Sequence, residues 1–408
     1  MGLRVEQDCP QCGAPIALDE TDNILECPYC DVRLFIHAPS YFRYLLPHKA
    51  PGESIIYAPY LRFNGNVYFC RGYQVSHRVV DITNVGLAFK GLPATLGLRP
   101  QAMKLRSATS DTDGTFLKFT LKASDILARA ASLTSDSSKS PILHRAYIGE
   151  TLSLIYLPLY VKGERLFDAV LNRAIARVPG GREVLDRMAV SNARWDLRFI
   201  PMLCPRCGWS MEGHKDSVIL TCSNCQTAWE SSKGRFVEVR VAVAPGEGEN
   251  TLYLPFWKIT AGVQGVTINS FADFIRLTNQ PRVIGKEWEE EAMHFWAPGF
   301  KIRPKIFLKL GKQFTVSQRR FEQGETMQGK SLYPVTLPRA EAAQAMKVIL
   351  AASAVNKKNV MPYLPRIRFE VTDASLVYLP FTQRGHELVQ QHMNISINRN
   401  SLEYGRRR

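Results

Sequence analysis

The chain has 408 residues, 45% of them hydrophobic and 22% charged, and a formal net charge of +15 from 52 Lys and Arg against 37 Asp and Glu. That size supports two to four packed domains, and the composition is that of a soluble globular chain rather than a disordered or fibrous one. No run approaches the roughly 18 consecutive apolar residues of a membrane span, and the excess of positive charge favours nucleic acid, anionic surfaces or acidic partners.

The first residues do not read as a basic-then-apolar leader, and Glu6 stands where a myristoylation motif carries Ser or Thr. Cys9, Cys12, Cys27 and Cys30 follow as Cys-x2-Cys, fourteen residues, Cys-x2-Cys. A Cys-x2-Cys turn sets two sulfurs on one side of a tight knuckle, and two knuckles complete a tetrahedron of soft thiolate ligands. Gly13 follows the first knuckle, where a left-handed backbone is commonly needed. Pro10 and Pro28 stiffen the two turns. The segment around Ile24-Leu25-Glu26 alternates toward strand. Metal-type spacing of this kind implies a reducing compartment, and a cytoplasmic protein is expected.

Beyond residue 38 the pattern is α+β. Residues 56–60 (Ile-Tyr-Ala-Pro-Tyr) read as a strand, with Cys70 a buried small residue in the next apolar strand. Ser124 can cap a helix over residues 125–132. A Ser-rich connection over 132–140 leads to a second Tyr-x-Pro strand at 154–159. Residues 164–177 have the spacing of a helix, and Pro179-Gly180-Gly181 mark an exposed turn. Proline lacks a backbone donor, so the Tyr-x-Pro segments are expected on edge strands or at bulges.

The quartet then returns as Cys204, Cys207, Cys222 and Cys225 with the same spacing, Gly208 after the first knuckle and Pro205 within it. Residues 252–256 (Leu-Tyr-Leu-Pro-Phe) match 56–60, and 376–381 match 154–159. Residues 335–337 match 119–121, and 301–304 match 97–100. The order is kept, so the chain reads as two tandem copies. The expected divisions are a ribbon at 1–38, an α+β domain at 39–197, a second ribbon at 198–235 and a second domain at 236–408.

Two features belong to the second half alone. Residues 301–320 hold Lys301, Arg303, Lys305, Lys309, Lys312, Arg319 and Arg320 and no acidic residue. Read as an extended strand, this segment sets Lys301, Arg303, Lys305, Phe307 and Lys309 on one face, a stripe that could meet phosphates and stack a base on Phe307. An ordinary solvated face, paired with the acids at 287–291, is the plainer reading. Residues 324–331 fit the phosphate-loop pattern G-x4-G-K-[ST], but Pro334 and Pro338 follow where that loop must open a helix. A turn between strands is expected instead, and no nucleotide. Pro338 precedes an alanine-rich helix over 339–353.

The motifs Cys-Pro-Gln-Cys-Gly…Cys-Pro-Tyr-Cys and Cys-Pro-Arg-Cys-Gly…Cys-Ser-Asn-Cys resemble the zinc-ribbon family, over about a sixth of the chain. The whole looks like a bacterial double-zinc-ribbon protein. The resemblance implies two structural Zn2+ ions, one on each set of four cysteines. Rubredoxin-type iron shares the knuckles but sets its pair further apart, and the weak likeness of paired knuckles to primosomal helicases comes with no helicase core. His37 and His214 lie near the ribbons, but each quartet is complete without them. The catalytic motifs sought, a Gly-x-Ser-x-Gly elbow and His-Glu-x-x-His among them, do not occur. The expected function is a non-enzymatic zinc-binding scaffold or adaptor with a protein partner. The alternative is a nucleic-acid-binding protein that uses the basic stripe.

Overall fold

The computed structural model describes all residues except 1, 51–53, 128–139, 191–194, 247, 249, 319–323, 325, 394, 407 and 408. The chain divides into two compact units. Met1–Asn64, Val80–Ser137 and Glu150–Pro201 form the first; Gly65–Val79, Ser138–Gly149 and Met202–Arg408 form the second.

In the first unit the ribbon is built from hairpins β1 (Arg4–Asp8) with β2 (Pro15–Asp19) and β3 (Ile24–Glu26) with β4 (Arg33–His37). A further strand, β13 (Arg198–Pro201), pairs antiparallel with β4. These residues were expected to open the second ribbon. They close the first one instead, because Leu197 and Phe199 pack against Cys9, Leu25 and Ile36.

The main sheet adds β5 (Phe42–Leu45), β6 (Ile56–Arg71), β7 (Gln74–Val85), β8 (Leu105–Ser107), β9 (Thr115–Phe116), β10 (Ile142–Lys162), β11 (Arg165–Asp168) and β12 (Arg173–Arg177), of which residues 65–71 of β6, 74–79 of β7 and 142–149 of β10 belong to the second unit. Its order is β12-β11-β10-β5-β8-β1-β2, with β6 pairing β10, β7 and β9. Residues 164–177 therefore form a hairpin and not the expected helix. Gly163 turns at φ 61 and Asn172 at φ 50, and β11 continues the ladder of β10 from Lys162 opposite Arg165. Pairing to a long strand outweighs the local helical spacing. Among the described residues of this unit the helical ones are Arg99–Ala102, Arg182–Asp186 and 123–127. The rest of the helix expected at 125–132 lies outside the described residues.

A buried ion pair ties the first ribbon to this sheet. Arg62 on β6 has no exposed side-chain surface, and its Nε and Nη2 donate to the two carboxylate oxygens of Glu20, each at 2.9 Å. Its Nη1 donates to Asp81. Two carboxylates thus surround one guanidinium, the arrangement that makes a buried charge tolerable.

The second unit opens with the ribbon strands β14 (Ile219–Cys222), β15 (Thr227–Ser232) and β16 (Arg235–Val239). Its main sheet contains β17 (Val241–Val243), β18 (Thr251–Gln264), β19 (Phe295–Pro298), β20 (Ser331–Leu332), β21 (Arg368–Arg384), β22 (Glu387–Gln390) and β23 (Ile395–Asn398). The order is β19-β18-β21-β22-β23, with β17 on β21 and β20 on β18. Its principal helices are α1 (Phe271–Thr278), α2 (Pro304–Ser317) and α3 (Arg339–Ser353). The α3 bounds are those the sequence led us to expect. Gly311 lets α2 approach α3 closely, since a Cβ there would meet Ile349 Cδ1 at 2.9 Å. Phe256 and Trp296 pack against Phe314 of α2, with ring centroids 4.5 and 6.2 Å apart, and the buried Trp257 donates its Nε1–H to Leu337 O.

Two expectations resolve in this unit. Ser331 and Lys330 do not open a helix: Gly329 turns at φ 70 and β20 begins at Ser331. The basic stripe is not a strand. Pro304 occupies the first turn of α2, and residues 304–317 are helical.

The Tyr-x-Pro strands also need correction, because all four lie inside the long strands and not at an edge. Tyr253 pairs with Pro380 and Pro255 with Tyr378 in the β18–β21 ladder. On its other side β18 pairs with β20 up to Tyr253 and with β19 from Phe256. Pro255 stands in the gap between these two short neighbours, where no donor is needed, and its carbonyl accepts from Gly299 N–H at 2.8 Å. Pro380 fills the gap between β17 and β22 on β21. In the first unit Pro59 accepts from Gly86 N–H, and Pro158 stands between β5 and β11 and accepts from Ala169 N–H. The missing N–H is harmless at each position because it falls where one neighbour ends and the next begins.

Candidate metal centres

Each quartet draws its four sulfurs together, with all ligand atoms within 4.8 Å of one another. Cys9 and Cys30 Sγ are 3.8 Å apart and Cys12 and Cys27 Sγ 3.6 Å. In the second quartet Cys204–Cys225 and Cys207–Cys222 are both 3.5 Å. A tetrahedron of 2.3 Å metal–sulfur bonds has edges of about 3.8 Å. The cage is therefore already the size of a four-thiolate site, and each cluster can hold one metal ion.

The backbone shapes both cages alike. Gly13 and Gly208 adopt φ 74 and 73, and the N–H of each donates to the carbonyl of Cys9 or Cys204 at 2.9 Å. Asp31 and Gln226, just after the second knuckle, are left-handed as well, at φ 56 and 58.

The sulfurs differ in what surrounds them. Burial pushes the Cys9 thiol up, but N–H groups of Cys12 and Gln11 and the neighbouring thiols hold it down to about 7. At Cys204, burial is opposed by N–H groups of Cys207 and Arg206 and by the Thr227 hydroxyl, which bring it to about 6. Thr227 Oγ1 lies 3.1 Å from Cys225 Sγ and 3.7 Å from Cys204 Sγ. That oxygen accepts from Trp229 Nε1 at 2.8 Å, so its own proton is free to point at a thiolate. The Asn224 side chain, then the Trp209 N–H, lower the Cys207 thiol. The Cys12 thiol is raised: the Ala14 N–H lowers it, but burial and the thiols of Cys27 and Cys9 prevail. Thr227, Asn224 and Trp229 were not singled out from the sequence; polar residues beside the knuckle were the available signal. His37 and His214 belong to neither cluster. Cys70 is fully buried, and burial pushes its thiol up to about 12.

The residues of the basic stripe are partly brought together. Lys305, Lys309 and Lys312 are exposed on α2 and, at spacings of four and three, share one face. Arg303 is exposed just before the helix. Lys301 is half-buried, and its N–H donates to Thr336 Oγ1. Phe307 cannot stack a base: it is 2% exposed, inside the core with its ring 6.0 Å from that of Tyr68. Arg319 and Arg320 lie outside the described residues. Of the acids expected to pair with the stripe, Glu289 pairs with Arg276.

No family model, curated protein or solved structure matches the chain. Among the described residues, no helix is long and apolar enough to cross a membrane.

Proposed function

We propose that the protein is a zinc-stapled, non-enzymatic scaffold that holds protein partners in a larger assembly of the reducing cytoplasm. The observation that carries this reading is the pair of closed four-sulfur cages. Four protein thiolates take every corner of a tetrahedral site and leave no position for substrate or water, the hallmark of structural zinc. Zinc is preferred to iron for the ribbon-type separation of the knuckles. When bound, zinc supplies charge and rigidity, not a reaction step. The knuckle N–H groups and Thr227 hold the thiolates in the charged form that binds it.

The scaffold is built twice in this reading, each copy a ribbon followed by an antiparallel-sheet domain. Matching hydrogen bonds support it. Gly86 N–H reaches Pro59 O, and Gly86 O receives Thr120 and Leu121 N–H; Gly299 N–H reaches Pro255 O, and Gly299 O receives Thr336 and Leu337 N–H. Tyr57 O receives Leu117 N–H as Tyr253 O receives Tyr333 N–H. The parallel pairs β6–β9 and β18–β20 correspond, as do β5–β10 and β17–β21.

Elemental analysis of the purified chain is expected to give two zinc per chain and no colour. A red iron chromophore overturns the zinc assignment. Native size analysis before and after chelation tests the scaffold: a complex larger than the chain that dissociates on metal removal is expected, and a free monomer in native extract refutes it.

A further inference from the structure

We propose that the first unit binds an aliphatic polyamine in a cavity bordered by β1, β5 and β6, where Glu6, Asp8, Asp111 and Asp113 meet its ammonium groups and the Tyr57 hydroxyl accepts from one of them. This goes beyond the scaffold reading and does not depend on it. The cavity has a volume of about 750 Å3, within the range of small-molecule sites. The loop between β8 and β9 closes it on one side. Leu46 and Ile55, both buried, border it and offer apolar surface to a methylene chain.

Charge and an open hydroxyl select the occupant. Four carboxylates line the cavity against one guanidinium, that of Arg106, in a chain whose net charge is +15. Burial lowers the His48 imidazole, so this lining residue adds no charge at neutral pH. No lysine lines the cavity; Lys104, outside the lining, lies 3.6 Å from Glu6. Among the described residues Asp8, Asp111, Asp113 and Arg106 make no ion pair. Tyr57 is only 4% exposed, yet it borders the cavity and its hydroxyl has no hydrogen-bond partner among the described residues. Burial and then the Asp113 carboxylate push its phenol up, while Arg106 lowers it, so both charges act on that hydroxyl. Gly114 lets the loop reach this ring, since a Cβ there would meet Tyr57 Cε2 at 2.7 Å.

The second unit shows what such a position holds. Leu332 of β20 pairs with Tyr253 of β18 as Phe116 of β9 pairs with Tyr57 of β6. Two residues before Leu332, Lys330 sets its ammonium 5.2 Å from the centre of the Tyr253 ring. Two residues before Phe116 stands Gly114, so at this place the first unit supplies no ammonium of its own. The Tyr253 hydroxyl also has a partner, Gly246 O at 3.4 Å, which Tyr57 lacks. A divalent metal fits the first unit's cavity less well. Among the described residues only the two cysteine quartets bring three ligand atoms within 4.8 Å of one another. Carboxylates spread around a cavity are met one by one by amines spaced along a chain.

The test is isothermal titration calorimetry on the full-length, zinc-loaded chain. Spermidine should bind at one site, more weakly as salt rises. The double variant Asp111→Asn, Asp113→Asn should weaken it roughly tenfold, and Tyr57→Phe roughly fivefold. Glu289→Gln, which removes the acid paired with Arg276, should leave binding unchanged. Mg2+ and 1,4-butanediol should not bind, and a trilysine peptide should bind more weakly than spermidine. No binding of spermidine at low salt, equal weakening by Glu289→Gln, an unchanged affinity in the double variant, or equal or tighter binding of Mg2+, the diol or trilysine would each overturn the proposal. Should Tyr57→Phe not fold, the double variant, whose changes lie in an exposed loop, still decides. Zinc content and thermal melting of each variant, expected unchanged, separate this outcome from failure of the scaffold.

Discussion

Beside the second knuckle, the first ribbon carries Tyr29 and Val32 where the second carries Asn224 and Thr227. The sulfur cages are otherwise alike, down to the left-handed residues that close each turn. The second ribbon adds a chain of donors, Trp229 to Thr227 to Cys225, and an amide at Cys207; at these places the first has the solvent-exposed Tyr29 and the apolar Val32. Anchorage differs in the opposite sense. The first ribbon is tied by the buried Glu20–Arg62 pair, the second by the half-exposed pair of Glu230 with Arg339 and by Val218 N–H to Val335 O. Geometry is thus set by backbone shared between the ribbons, while metal retention and attachment are set separately by side chains.

The strongest way to break this comparison is to remove a ligand. Cys9→Ser is expected to lower zinc from two equivalents to one, with loss of hydrogen-exchange protection confined to the first ribbon; Cys204→Ser should do the converse. Structural zinc contributes on the order of 10 kcal/mol in isolated modules, so the affected ribbon should not fold around the remaining three thiolates. Loss of both metals from either variant would show the ribbons to be interdependent.

Anchorage comes next. Glu20→Ala leaves Arg62 buried with one carboxylate fewer and should cost about 3–5 kcal/mol in urea unfolding. Glu230→Ala, which removes a partly exposed partner, should cost less than about 1 kcal/mol. Equal costs would mean that the burial of Arg62 is not what secures the first ribbon.

The donor chain can be transplanted. Thr227→Val should weaken zinc at the second cluster by about 10–100-fold in a chelator competition, the usual effect of losing an outer partner of a metal ligand. Val32→Thr should strengthen the first cluster. Acid release sharpens the same point. A proton displaces zinc only when it can protonate a ligand, so a lowered thiol keeps metal to lower pH. With Cys204 near 6 and Cys207 lowered, against Cys9 near 7 and Cys12 raised, the first cluster should empty first as pH falls. The reverse order, followed with a zinc dye in the two single-cluster variants, would contradict the assignment.

The smallest effect should be the most symmetrical. A Cβ at Gly13 or Gly208 meets nothing within 4 Å, so Gly13→Ala and Gly208→Ala cost only the left-handed backbone, about 1 kcal/mol each in zinc-saturated melts.

Much of the metal site was legible because cysteine spacing encodes a cage almost directly. Gly13 and Gly208 turned left-handed as their positions required, and α3 was readable from its proline start and alanine-rich run. The basic stripe was misread because its lysines fit both periods: 301, 303 and 305 alternate, while 305, 309 and 312 recur as on a helix. Pro304 at the helix start was the signal that decided between them. Residues 164–177 went astray for a different reason, since pairing with β10 is a long-range property that no local window contains. The donors at Thr227 and Asn224 were hidden because a hydroxyl or amide beside a knuckle looks like any turn residue until its distance to sulfur is known.

The prolines at the partner gaps imply something about how such a chain can grow. Each long strand keeps one uninterrupted neighbour, so its alignment does not depend on the length of the segment joining the two short strands opposite. In the tandem-copy reading the offset between matching residues is 196 at Tyr57 and Tyr253 and 222 at Tyr156 and Tyr378. In that reading the extra residues that include α1 fall between β18 and β19, where Pro255 to Gly299 spans 44 residues against 27 from Pro59 to Gly86. The segments that join the short strands opposite each proline are natural ports for grafting a foreign loop or tag while the central hairpin keeps its alignment.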